Sequence, residues 1–117
     1  MWSGSTGETR ALQKASPATD RIAACWYSGT AFTIDVNFSD ASLHQVALYM
    51  LDWDVFGGGR TQRVEVFDAN NNLLDARMVS VFTRGQYLVW NLSGHVTIRV
   101  TNTNPNGNAV VSGLFFR

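Results

Sequence analysis

Alternation dominates this chain. Phe32, Ile34, Val36 and Phe38 are separated by Thr33, Asp35 and Asn37, and Val96, Ile98 and Val100 alternate in the same way. A period of two is the mark of a strand with one buried and one solvated face. No stretch between turn signals carries the 3.6-residue period of a helix of ordinary length, so an α/β arrangement is excluded. Within 117 residues there is room for one domain only.

The remaining segments fit the same pattern. His44 to Asp54 carries apolar residues on both faces (Val46, Leu48 and Met50 against Ala47, Tyr49, Leu51 and Trp53), as a central strand covered on both sides would. Gln62 to Phe67 and Leu73 to Phe82 form a hairpin around Asp68-Ala69-Asn70-Asn71-Asn72. Tyr87 to Leu92 is a short strand, Ser93-Gly94 a tight turn, Asn102 to Asn108 a loop, and Ala109 to Phe116 a closing strand. Thr9 to Lys14 reads as a strand or a helical turn, and residues 1–8 as a flexible lead-in, within a small, polar first twenty residues that include Pro17. About eight short strands with turn signals every ~8–12 residues predict an all-β fold, an antiparallel β-sandwich or jelly roll spanning residues 9–117.

Composition narrows the function. Nine basic and nine acidic residues leave no net charge, and so no electrostatic footprint for nucleic acid. No apolar run approaches the ~20 residues of a membrane-spanning helix. Cys25 is the one cysteine, which excludes an internal disulfide and a cysteine-rich zinc site. Met1 is not followed by a charged and then an apolar segment, so a secretory signal is not expected within this sequence. Charged residues make up 15% against a usual ~25%. Fourteen aromatics, nine Asn and eight Arg accompany that low charge. Aromatic faces, amides and guanidinium forks suit a neutral hydroxylated ligand.

Several runs, in this order and spacing, carry a resemblance. They are Arg21-Ile22-Ala23-Ala24-Cys25-Trp26-Tyr27, Val46-Ala47-Leu48-Tyr49, Leu51-Asp52-Trp53-Asp54, Arg60-Thr61-Gln62-Arg63-Val64-Glu65-Val66, Gly85-Gln86-Tyr87-Leu88-Val89-Trp90 and Asn108 to Phe116. Together they resemble the galactose-binding-like jelly-roll modules appended to secreted bacterial enzymes and surface proteins, many of them carbohydrate-binding modules. The resemblance implies a β-sandwich, a polysaccharide ligand, a linked catalytic domain and a secreted or cell-surface location. Such modules often begin with a further strand or two, so either a trimmed N-terminus or a reduced sandwich is expected. One fold hosts many functions, and the resemblance speaks first to fold.

Candidate binding residues follow. Asp52 and Asp54 point to one side of a strand with Trp53 opposite, so carboxylates can take sugar hydroxyls while an indole stacks on a pyranose. The plainer reading is that Trp53 is core and that Arg60 or Arg63 pairs with the acids. Trp26 and Tyr27 are adjacent and point to opposite faces, so at most one enters the core and the other is a candidate platform; the plainer reading covers both, Trp26 in the core and Tyr27 under a loop. Tyr87 and Trp90 fall on opposite faces, with Trp90 reading as core. Arg60 and Asn106 complete a polar set for hydroxyls, although Asn, Gly and Pro are also ordinary turn residues.

No cofactor is expected to be required. A structural Ca²⁺ has two weak candidates: Asp68 to Asn72 with Asp75, which reads better as a hairpin turn, and Glu8 with Asp20. His44 and His95 stand beside turns, and Gly57-Gly58-Gly59 lacks the Lys and helix of a phosphate loop. The expected function is non-catalytic binding of a neutral cell-wall polysaccharide, a β-glucan or related hemicellulose. The alternatives are a structural or adhesion module with no sugar site, and, less favoured, a glycosidase using Asp52 and Asp54 as its carboxylate pair.

Overall fold

The alternating segments form twelve strands among the described residues. The computed structural model describes residues 1–15 and 18–116; Ser16, Pro17 and Arg117 lie outside them. The strands are β1 (Ser3–Thr6), β2 (Leu12–Gln13), β3 (Arg21–Ala23), β4 (Trp26–Ser28), β5 (Ala31–Asn37), β6 (His44–Met50), β7 (Thr61–Phe67), β8 (Leu73–Ser80), β9 (Gln86–Leu92), β10 (His95–Asn102), β11 (Ala109–Val111) and β12 (Gly113–Phe116). One 3₁₀ turn, Phe56–Gly58, interrupts them.

Two antiparallel sheets make the sandwich. One has the order β5-β10-β7-β8, the other β12-β6-β9. Val64, Val66, Val96, Ile98 and Val100 from the first sheet share a core with Val46, Leu48, Met50, Leu88 and Trp90 from the second. Each fully buried aliphatic side chain contributes roughly 1.5–3 kcal/mol, which ties the two alternating faces together. Two smaller sheets, β1-β3-β2 and β4-β11, flank this core.

Four differences from the sequence reading have physical causes. Twelve strands replace eight, because short pairings in the first thirty residues are held by backbone bonds with little apolar pattern. The lead-in of residues 1–8 contains β1, which pairs with β3, while Trp2 N–H donates to Ala23 O at 2.7 Å. The long strand from His44 ends at Met50, where Leu51 and Asp52 remain buried but turn away from the ladder. The closing strand breaks at Ser112, since β11 pairs with β4 and β12 with β6. As expected of a central strand, β6 lies between β9 and β12, and Tyr49 on its outer face is buried.

Candidate functional site

Three of the expected site residues converge beyond the end of β6. Arg60 Nη1 donates to Asp52 Oδ1 and to Asp54 Oδ1, each at 2.6 Å. Its backbone N–H donates to Asp52 Oδ2 at 3.0 Å, and its Nε to Asn108 Oδ1 at 2.7 Å. Asp52 is only 1% exposed and Arg60 only 3%. A charge so deep must be paired, and this pair is. Asp52 and Arg60, expected to touch sugar hydroxyls, are both turned inward and cross-link the loop. Asp54 keeps an exposed edge. Burial pushes its carboxyl up, but the hydrogen bond and charge of Arg60 outweigh that and hold it below the ordinary range.

The loop from Asn102 to Asn108 braces the same region. Asn104 Nδ2 donates to Gly57 O at 3.2 Å and to Gly59 O at 2.7 Å. Gly57 has φ +71° and lies against the Asn106 carbonyl, where a side chain would overlap backbone, so glycine is required there. Asn106 is exposed, and its N–H donates to Asn104 Oδ1 at 3.0 Å, in the manner of a turn.

Trp53 is half-buried, and its ring is already engaged. The Arg10 guanidinium lies 4.1 Å from the ring centroid, and Trp2 is stacked on it at 6.5 Å and 17°. Arg60 in turn sits 5.3 Å from the Trp2 ring and 5.5 Å from Phe56. The contacts run from Arg10 through Trp53 and Trp2 to Arg60 and Phe56, each cation–ring contact worth ~0.5–1 kcal/mol. Trp2 escaped the sequence reading; the signal available was a large aromatic in an otherwise small, polar stretch.

The free rings lie elsewhere. Trp26 is 60% exposed and Tyr27 70%, although neighbours on a strand face opposite ways. Both stay open because β4 pairs only with β11 among the described strands, Trp26 opposite Val111 and Tyr27 opposite Val110. β11 is in turn fixed by Gln62, a fully buried amide. Gln62 Nε2 donates to Val110 O at 2.8 Å, and Val110 N–H donates to Gln62 Oε1 at 2.9 Å. The side chain thus imitates a strand partner and anchors the aromatic strand to the core. Trp26 and Tyr27 border a shallow groove of about 560 Å³ with Phe32, Ile34 and Leu114. Cys25 also lines it, and burial pushes its thiol pKa up, away from the reactive thiolate.

A larger cleft, of about 1060 Å³, opens between residues 7–15 and the outer face of β6, β9 and β12. Tyr49 donates its hydroxyl to the Arg10 carbonyl across it, and Tyr87 lies 4.6 Å from Tyr49 and 6.3 Å from Phe115, centroid to centroid. Trp90 is core, as its strand position implied, with Nε1–H donating to Asp75 Oδ2 at 2.7 Å.

With the geometry in place, the likeness to known proteins can be stated. TmCBM61, solved in complex with β-1,4-galactotriose, superposes with a TM-score of 0.53 at 14% identity, covering 97% of this chain and 86% of that one. The chain has the β-sandwich fold of a carbohydrate-binding module. A family 35 carbohydrate-binding module from Clostridium thermocellum gives a TM-score of 0.45 at 20% identity, over 72% of this chain and 66% of that one. An exo-β-1,3-galactanase from Phanerochaete chrysosporium, with galactose, gives 0.43 at 18% identity, over 85% of this chain and 30% of the enzyme. No family model matches the sequence, and no curated protein matches it.

The two calcium candidates are occupied by protein partners. Asp68 Oδ1 accepts from Asn70 N–H and Asn72 N–H at 2.9 Å each, which closes the hairpin turn. Glu8 accepts from Arg10 at 2.7 Å, and Asp20 from Lys14 at 2.6 Å. Among the described residues, no three His, Cys, Asp or Glu side chains cluster together.

Proposed function

We propose that this chain is a non-catalytic module that binds a neutral cell-wall polysaccharide, a β-glucan or related hemicellulose. The observation that carries the reading is the exposure of Trp26 and Tyr27 on a strand anchored to the core. Leaving an indole and a phenol in water forfeits burial that a sandwich core would reward. A sugar ring recovers it, because its C–H face packs on the aromatic face while its hydroxyls stay hydrated. The sandwich shared with a module solved on β-1,4-galactotriose supports the ligand class.

In this reading the module holds a linked catalytic domain near its substrate at the cell surface or outside the cell, and it needs no metal. Titration calorimetry against soluble β-glucan, xyloglucan, xylan, mannan and galactan tests it. Heat with one or more neutral chains, lost in Trp26→Ala and unchanged by EDTA, is the expected result. No heat with any of them, and no retention on insoluble cellulose, would sink the idea.

A second reading, a structural or adhesion module, is favoured by the covered tryptophans: Trp2 and Trp53 pack with arginines, and Trp90 lies in the core. Acrylamide quenching separates the two readings. A Trp26 as shielded as Trp90 would favour the structural role.

A further inference from the structure

The 1060 Å³ cleft differs in chemistry from the Trp26 groove. Its lining includes Arg10, Lys14, Arg21 and Arg84, with Glu8 the single acidic side chain. In a chain of zero net charge this is a local excess of four cations over one anion. Two of the cations are answered by carboxylates, Arg10 by Glu8 and Lys14 by Asp20. The other two are not. Arg21 donates Nη1 to the backbone carbonyls of Thr9 and Ala11, at 3.2 and 2.8 Å, which leaves its charge unneutralised. Arg84 is exposed and makes no side-chain hydrogen bond or ion pair among the described residues. The turn that carries it is fixed, because Gly85 N–H donates to Phe82 O at 3.0 Å and Gly85 packs against the Tyr49 phenol.

Tyr87 and Phe115, both with exposed rings, line the same cleft. A guanidinium fork matches a carboxylate, and an aromatic ring matches the C–H face of a pyranose. We propose that this cleft binds a uronate-bearing oligosaccharide, with the sugar ring on Tyr87 and Phe115 and its carboxylate toward Arg84 and Arg21. This goes beyond the neutral-chain reading in both location and ligand charge. An acidic peptide is the poorer fit: its carboxylates match the guanidinium forks, but it offers no pyranose face to Tyr87 and Phe115.

The test is calorimetric titration of the whole chain with trigalacturonate, with neutral galactotriose and with hexaglutamate, at low and moderate salt. The variants are Arg84→Gln, Tyr87→Ala and, as a control for the loss of any one charge, the exposed Arg63→Gln. The expected result is binding of trigalacturonate that weakens with salt, weakens roughly tenfold in Arg84→Gln and Tyr87→Ala, and changes by less than about twofold in Arg63→Gln. Amide shifts at Gly85 and Tyr87 should report the same site. Failure of neutral glucans at Trp26 would leave these titrations untouched, so the two proposals fall separately. The inference is overturned if trigalacturonate does not bind, if galactotriose binds with equal affinity, if Arg63→Gln weakens binding as much as Arg84→Gln, or if hexaglutamate binds as tightly.

Discussion

Arg60 decides what the acids after β6 can do. With Asp52 sealed against it, truncation of Arg60 leaves a buried carboxylate without its cation, whereas loss of Asp52 leaves Arg60 still paired with Asp54. Arg60→Ala is expected to cost about 3–5 kcal/mol, read from the urea midpoint. Gln62 is the other decisive side chain. Gln62→Leu would leave the Val110 N–H and C=O buried without partners, and a loss of at least ~2 kcal/mol is expected in the same measurement. Asp75 is held below its ordinary range first by the hydrogen bond from Trp90 and then, against burial, by Arg77. A carboxyl lowered on folding stabilises the fold at neutral pH, and that contribution fades as pH falls through its folded value. The Trp90 indole N–H resonance should therefore titrate with a midpoint below the ordinary ~3.9; a midpoint at or above that value would contradict the bond. The cluster Asp52-Trp53-Asp54 was legible in the sequence as a same-side pair of acids, and Arg60 as their possible partner. What was not legible was depth, because local spacing does not show that the loop folds inward. Gln62 was silent, since one polar residue in an alternating strand looks the same whether it faces water or serves as a strand.

At the level of elements, periodicity served best where one face is polar. β5, β7 and β10 appear close to where alternation put them. It served worst from Ala109 to Phe116, where apolar residues follow one another and nothing marks a change of sheet. Ser112 sits at that break, and its hydroxyl is buried without a hydrogen-bond partner. Ser112→Ala is therefore expected to leave stability unchanged or raise it by about 1 kcal/mol in thermal unfolding. Gly85 is the opposite case. It has φ +87° and touches the Tyr49 phenol, so Gly85→Ala should destabilise by more than ~1 kcal/mol and disturb the cleft floor. β1 escaped the sequence reading because its residues, Ser3-Gly4-Ser5-Thr6, bury little and are held by backbone pairing to β3.

Over the whole molecule, the sandwich assigns the aromatics to different work. Trp90 fills the core, Trp2 and Trp53 pack with arginines at the loop end, and Trp26 and Tyr27 face water at the margin of β4. Zero net charge conceals a second division, between a mostly apolar groove beside Trp26 and a cationic cleft beneath residues 7–15. The measurement that bears most directly on polysaccharide binding is the affinity of the wild-type chain and of a Trp26→Ala, Tyr27→Ala double variant for soluble β-glucan and xyloglucan. The expected result is measurable binding by the wild type to at least one of them, and a loss of about tenfold or more in a variant that still unfolds cooperatively. No binding by the wild type, or an affinity unchanged by removal of both rings, would contradict it.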